Sequence, residues 1–398
     1  MNSSTVALGK IAKITSGGTP ARENPSYWNG DIPWVKTTQV QNCTIKLADI
    51  DEYITEDGSR RSSAKMIPAG SILMAMVGQG KTRGQVAVLD INAAINQNCA
   101  AIILKDGTDR DYVYQQLRFR YEEIRNASNS SGQQNLNASL IRSLRIPLPS
   151  YAAQKKIGIW LAEWDSAIEK TERLIAAKES SQRGWMQELV MDRLFPEQRL
   201  SEFVHRVNRK NVNGNGHPLT ISGRDGLISQ SHYFDKRIAA ETTEHYTQLK
   251  RGEFSYNKSY SAGYPYGAIK RLDAYDEGIV STLYLCFALN TDAALLSDYL
   301  IQFCEVGGFN HQIHKVAQER ARNHGLLNVA ADDFFAMKLP VPPIEEQSRV
   351  VAILGDAGRE LALLRKSLYL LRQQKRGLMQ KLLTGQWRVK LHETETSP

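Results

Sequence analysis

The chain has 398 residues, 42% of them apolar and 23% charged, which is a globular balance and too long for one core, so two or three domains are expected. No apolar run reaches the ~18 residues of a membrane span. The N-terminal MNSSTVALGKIAKITSGG lacks the charged-then-apolar layout of a signal peptide, and Cys43, Cys99, Cys286 and Cys304 fall at no metal-ligand spacing; these features argue against a membrane-spanning helix, a disulfide scaffold and a cysteine metal site, so a cytoplasmic protein is expected, and the net charge of +8 favours a polyanionic partner.

Strand-like runs occur at Ser71–Val77, Gln85–Leu89 and Ala100–Leu104, and a helix is predicted over Arg110–Arg125. Between the first two runs lies AMVGQGKT, Ala75 to Thr82, which fits a loosened phosphate-loop pattern. A phosphate loop needs a helix that starts at its Lys-Thr, so that the backbone amides and the dipole hold phosphate. Here Arg83-Gly84 and the strand-like Gln85–Leu89 follow at once, which denies that helix.

The next segment reads as one long helix. Pro149 stops the extended stretch before it and Ser150 suits its N-cap. Its apolar residues run at 4-3-4-3 spacing through Ile157, Leu161, Trp164, Ile168, Thr171, Ile175, Lys178, Gln182, Trp185 and Leu189. A second mixed segment follows, with a strand-like run at Gly278–Leu289 and a helix predicted over Ala293–Glu305. A second long helix closes the chain, with the same spacing through Val350, Leu354, Ala357, Leu361, Leu364, Leu368, Leu371, Lys375, Leu378 and Leu382. Each seam covers 33 residues, about 50 Å of helix at ~1.5 Å per residue.

These two helical stretches are copies of each other. LRIPLPSYAAQKKIGIWLAEW, from Leu144, aligns without a gap on MKLPVPPIEEQSRVVAILGDA, from Met337, at an offset of 193, with Pro147 on Pro340, Pro149 on Pro342 and Gln154 on Gln347. The match runs on to Arg183-Gly184 on Arg376-Gly377 and Met186-Gln187 on Met379-Gln380. A repeated helix with a continuous seam is expected to pair with its own copy, and a two-fold repeat closed on itself favours the antiparallel sense.

This layout resembles the specificity subunit of type I restriction–modification systems. In the first half the likeness rests on Leu8-Gly9-Lys10-Ile11, Ser16-Gly17-Gly18-Thr19-Pro20, Asp31-Ile32-Pro33-Trp34-Val35 and Gly78-Gln79-Gly80-Lys81-Thr82-Arg83-Gly84. In the second it rests on Ile221 to Leu227, Tyr256-Asn257-Lys258-Ser259-Tyr260 and Gly278 to Tyr284. The resemblance implies an α+β chain. Two mixed α/β target-recognition domains are separated by two long antiparallel coiled-coil helices with pseudo-two-fold symmetry. The boundaries expected are 1–149 for the first recognition domain, 150–194 for the central helix, 195–343 for the second domain and 344–390 for the C-terminal helix.

The resemblance also implies a non-catalytic subunit that reads double-stranded DNA, each domain taking one half of an asymmetric bipartite target. The helices set the gap and dock two modification (methyltransferase) subunits, joined in the full complex by restriction and translocase subunits. No cofactor and no metal are expected in this chain; S-adenosylmethionine, ATP and magnesium serve the partners. The seam of the helix pair is expected at Ile157, Leu161, Trp164, Ile168, Val350, Leu354, Leu361, Leu364 and Leu368. Residue chemistry nominates Lys36, Gln39, Gln79, Lys81, Thr82 and Arg83 for DNA contact in the first domain, because Lys and Thr suit phosphate oxygens while Arg and Gln can pair with base edges. Arg224, Lys258, Tyr260, Tyr264, Tyr266, Lys270 and Arg271 are nominated in the second, where aromatic and basic residues interleave with glycine. Two rival functions remain at this level: a coiled-coil scaffold without sequence-specific DNA binding, and a P-loop enzyme.

Overall fold

The structure, a computed structural model, describes residues 5–78, 80–130, 135–191, 195–212, 214–223, 226–233, 242–259, 263–318 and 327–390. The chain divides into two compact units, Met1–Glu172 with Lys366–Pro398, and Arg173–Arg365.

The first unit contains β1 (Thr5–Ala7), α1 (Leu8–Ile11), β2 (Ala12–Ser16), β3 (Trp28–Val35), β4 (Thr44–Ile45), β5 (Tyr53–Ile54), α2 (Glu56–Arg60), β6 (Met66–Ile67), β7 (Ile72–Ala75), β8 (Val86–Leu89), β9 (Ala93–Ile95) and β10 (Cys99–Leu104). Then come α3 (Arg110–Phe119), α4 (Tyr121–Ser130), α5 (Ala138–Ser143), β11 (Arg145–Pro147) and α6 (Tyr151–Met186). The main sheet has the order β2-β10-β7-β8-β4, and a second sheet has the order β5-β3-β9-β6. β7 and β8 are buried at every residue, which explains their unbroken apolar runs. The helix predicted over Arg110–Arg125 is instead two helices, α3 ending at Phe119 and α4 starting at Tyr121.

The second unit contains β12 (Glu197–Arg199), β13 (Val204–Arg206), β14 (Leu219–Ser222), β15 (Gly226–Ser229), α7 (Gln230–Tyr233), β16 (Thr247–Lys250), β17 (Phe254–Asn257), β18 (Ala268–Arg271), β19 (Glu277–Val280) and β20 (Leu285–Leu289). It continues with α8 (Ser297–Glu305), α9 (Asn310–Gln318), α10 (Ala331–Phe335), β21 (Lys338–Pro340) and α11 (Ile344–Leu383). The run Gly278–Leu289, read as one strand from the sequence, is two, because Ser281–Tyr284 turns back between β19 and β20: the Tyr284 N–H donates to the Ser281 carbonyl at 3.0 Å.

The sequence repeat is a structural one. The main sheet of the second unit has the order β13-β20-β17-β18, matching β2-β10-β7-β8. β1 pairs antiparallel with β11, and β12 with β21, each ahead of a long helix. Gly70 (φ +85°) and Gly252 (φ +87°) make equivalent left-handed turns before β7 and β17. Gln154 and Gln347, identical in the alignment, do the same job. The Gln154 Oε1 accepts from the Asp109 N–H at 3.0 Å and its Nε2 donates to the Pro149 carbonyl at 2.9 Å. The Gln347 Oε1 accepts from the Leu296 N–H at 2.7 Å, and its Nε2 donates to the carbonyls of Pro342 at 2.8 Å and Ala294 at 3.0 Å. Each buried amide thus ties the first turn of a long helix to the start of α3 or α8.

The long helices follow the predicted seam. Along α11, all ten seam positions from Val350 to Leu382 are buried or half-buried. Along α6, Ile157, Leu161 and Ile175 are buried and Trp164 and Ile168 half-buried. After Gln182 the inward positions pass to Met186 and Val190, leaving Trp185 exposed. A 3.6-residue helix drifts away from a 3.5-residue pattern, and a π-helical turn at Gln187–Met191 completes the change.

Within the first unit the two helices run antiparallel: Asp165 pairs with Lys375, and Glu172 with Arg372 at 2.5 Å. Within the second, Glu179 pairs with Arg365 at 2.6 Å and Lys178 with Glu360 at 2.9 Å. The strongest polar link lies in the first unit. Asp165 receives Arg118 on both oxygens, at 3.0 and 2.9 Å, the Gln115 amide at 2.6 Å, and the Lys375 ammonium. Burial and the neighbouring Arg118 charge push the Lys375 ammonium down to about 8, against the pull of Asp165. The core of each unit takes in the adjoining helix ends, Ile157, Leu161, Leu382 and Leu383 in one and Met186, Val190, Val350 and Leu354 in the other.

Candidate nucleic-acid interface

AMVGQGKT is a hairpin and not a phosphate loop. β7 and β8 pair antiparallel, Ile72 with Val88 and Met74 with Val86, and residues 76–85 join them. No helix follows Lys81-Thr82, so the dipole and amide cradle that nucleotide phosphate needs are missing there. Gly78, Gly80 and Gly84 take φ of +146°, +77° and +87°, a backbone that side-chain-bearing residues rarely adopt. Helix α4 braces the loop, with the Tyr121 hydroxyl donating to the Lys81 carbonyl at 2.7 Å.

The second unit builds the same hairpin. β17 and β18 pair antiparallel, and ten residues, 258–267, connect them, the same number as in 76–85. Two stretches nominated separately from their residue chemistry are therefore one structural device, used once in each sheet.

Strand directions gather further loops at the hairpin end of the first unit. β2, β3, β7 and β9 end there, and β8 and β10 begin there. The Met76 N–H donates to the Asn98 carbonyl at 2.9 Å, and the Gly18 N–H to the Ile95 carbonyl at 2.9 Å. The Thr37 hydroxyl donates to the Asn96 Oδ1 at 3.0 Å. Residues 17–24, 36–39, 76–85 and 96–98 thus share one end. The opposite end carries Ala12, Leu104 and, beyond them, β1 and β11.

The nominated side chains divide sharply at these ends. Lys81 is exposed, and its ammonium makes no hydrogen bond or ion pair with the described residues. Thr82 and Arg83 are half-buried. Gln79, Arg224 and Tyr260 lie outside the described residues. Lys36 is at the right end but committed: its ammonium meets Asp51 at 2.7 Å and Glu52 at 2.8 Å, and the Asp51 contact above all holds its pKa above the ordinary lysine value. Gln39 is consumed by backbone, accepting from the Lys36 N–H at 2.8 Å and donating to the Asp49 carbonyl at 2.5 Å.

In the second unit Lys270 is a core residue, not a surface cation. It is 5% exposed and donates to Glu305 at 2.5 Å and to the Tyr264 hydroxyl at 2.9 Å. Burial disfavours its charge, but Glu305 outweighs that and holds its pKa above the ordinary value. Arg271 pairs with Asp273 at 2.7 Å and Asp298 at 2.6 Å. Tyr264 hydrogen-bonds the Gly223 carbonyl at 2.8 Å, and Tyr266 meets His314 Nδ1 at 3.1 Å, so both pin the loop. Lys258 is half-buried near the Val329 carbonyl, and burial lowers its pKa. His311 and His314 belong to no cluster of metal-binding side chains among the described residues.

Residues 2–178 match the family model described as the type I restriction modification DNA specificity domain. That match lies within the first half of the chain. The chain is also 30% identical over 166 residues to the type I restriction enzyme MjaIX specificity subunit of Methanocaldococcus jannaschii, covering 41% of this chain and 38% of that one. It is 30% identical over 165 residues to the EcoR124I/EcoR124II specificity subunit of Escherichia coli, covering 40% of each. The match thus spans about two-fifths of the length of these curated relatives. The fold reaches further: the crystal structure of a type I restriction–modification S subunit from M. genitalium is similar over 98% of this chain and 96% of that one, with a TM-score of 0.59 at 15% identity. The resemblance read from the sequence motifs is borne out, as are the two mixed α/β halves and the paired long helices.

Sequence reasoning passed over Asn96, Gln97 and Asn98. They follow β9 in a short polar link, and Gln97 is exposed at the hairpin end. No local sequence pattern announces them: the contact that singles out Gln97, the Thr19 hydroxyl donating to its Oε1, joins residues distant in the chain.

Proposed function

We propose that the whole chain is the DNA-reading specificity subunit of a type I restriction–modification complex, working in the cytoplasm. Each unit reads one half of an asymmetric bipartite target, and the helix pair sets the gap. The observation that carries this reading is the repeated hairpin: in two sheets of matching strand order, ten residues connect each pair of equivalent strands. The loops differ in sequence, one offering Lys81 and the other Tyr264 and Tyr266 fixed against their sheet, so the half-sites differ.

Chemistry on DNA is assigned to partner chains, as are S-adenosylmethionine, ATP and magnesium. Exposed apolar side chains on the long helices suit docking of two modification subunits, with restriction and translocase subunits joining them. Ile159, Trp160, Tyr369 and Leu370 in the first unit, and Trp185 and Leu363 in the second, are all more than a third exposed. Large apolar groups held in water on helices mark interaction surfaces.

Methylome sequencing of cells with and without the chain tests the proposal. A methylated asymmetric bipartite motif that vanishes with the chain is the expected outcome. No change in methylation, with an active modification subunit present, refutes it and leaves the scaffold reading.

A further inference from the structure

We propose that Gln97 reads a base in the first half-site, preferring the major-groove edge of adenine, and that Thr19 is its positioning residue. The inference rests on the DNA-reading function proposed above.

Gln97 sits in the link between β9 and β10, held from both sides. The Asn96 N–H donates to the Val35 carbonyl at 3.0 Å, and the Cys99 N–H to the Asn96 carbonyl at 3.2 Å, closing a tight turn. The Asn98 carbonyl accepts from Met76 at the base of the hairpin loop. On the other flank the chain at Gly17-Gly18 passes so close that a Cβ on Gly17 would fall 1.8 Å from the Ile95 carbonyl oxygen. That approach is open only to glycine, and it delivers Thr19 to Gln97.

The result is an exposed amide on a fixed backbone with one bond already made. The Thr19 hydroxyl occupies one lone pair of the Gln97 Oε1. The second lone pair and both Nε2 hydrogens meet no described residue. Adenine presents an N6 donor and an N7 acceptor side by side, the complement of an amide with one free acceptor and one free donor. The neighbouring polar groups do not compete: Lys36, Gln39 and Asn96 are spent on protein partners. The corresponding link of the second unit, Ser281-Thr282-Leu283-Tyr284, carries no amide side chain, so this position distinguishes the two half-sites.

The test selects bound duplexes from a random-sequence pool, using the full chain assembled with a modification subunit, and sequences them. Gln97→Ala should lower discrimination at one base pair of one half-site by roughly 5- to 150-fold, leaving the other half-site and the salt dependence unchanged. Gln97→Glu should move the preference at that position toward cytosine, because a carboxylate only accepts. Thr19→Val should weaken discrimination at the same position, and Thr19→Ser should restore it, with unchanged melting temperatures throughout. Selection that stays wild-type in Gln97→Ala, or affinity that falls equally for every sequence, overturns the assignment of Gln97. A wild-type complex that selects no sequence at all overturns the functional reading itself, and the assignment with it.

Discussion

Lys36 and Lys81 look interchangeable in the sequence, both lysines next to threonine near the end of an apolar run. Folding separates them. The β3–β5 pairing brings Asp51 and Glu52 onto Lys36, whereas Lys81 stays in open solvent. Lys81→Ala is therefore expected to reduce the slope of log affinity against log salt by about 0.9, the signature of one lost phosphate contact. Lys36→Ala should leave that slope unchanged; DNA titrations at several salt concentrations read both. Lys270 was misplaced for a related reason. In β18 it lies on the face covered by α8, and no local pattern announces Glu305 as its partner. A buried glutamine is equally silent in a single segment. Gln154 and Gln347 became legible only through the repeat, and the structure shows what the repeat preserves. Gln347→Ala strands the Leu296 amide and should cost about 1–3 kcal/mol in urea unfolding.

The elements most legible in advance were the long helices, because a seam repeating every seven residues is written along one chain segment and needs no distant partner to be recognised. Its failure at Trp185 is equally physical, since the ideal pattern ignores the drift that a real helix accumulates. The polar break in that seam at Lys375 is the more testable feature. Asp165→Ala would leave the half-buried Arg118 and the buried Lys375 facing each other without their anion and should destabilise the first unit, by less than the ~3–5 kcal/mol of a fully buried pair. Lys375→Met keeps the Arg118–Asp165 pair, fills a seam position with an apolar group, and should be near neutral or stabilising at pH 7.

The two charges respond to pH in different windows. Burial alone would raise the Asp165 carboxyl, but Arg118 and Lys375 override it and hold it below the ordinary carboxylate value. Its contribution is thus present above the ordinary Asp value near 3.9 and lost as pH falls through the folded one. For Lys375 the folded value of about 8 lies below the unfolded one. Between them the unfolded chain binds the extra proton, so wild-type stability gains as pH rises from about 8 towards 10. Any advantage of Lys375→Met should shrink over that window, which urea titrations at pH 7.5 and 10 will show.

At the level of the whole molecule, the two units are each completed by halves of both long helices. Substituting glutamate at Leu361, which is buried, and Leu364, which is half-buried, places two charges in the seam at once. The double variant should lose helical circular dichroism and several kcal/mol of stability, and with them the complex with a modification subunit that the proposed function entails. A variant that keeps both would refute the pairing of the helices. The first unit has one further property. Its long helix end arrives last: the Gln116 amide donates to the Leu383 carbonyl at 2.9 Å, across 267 residues of chain. Residues Met1–Glu172 leave the ribosome long before Lys366–Pro398 exist to cover them, a wait of about 10–40 s at ~5–20 residues per second. The apolar seam around Ile157 and Leu161 stays open for that interval, so the second unit can be complete, helix pair included, before the first. Nascent chains arrested with residues 366–398 still inside the exit tunnel should therefore protect the second unit from protease while the first is still being cut.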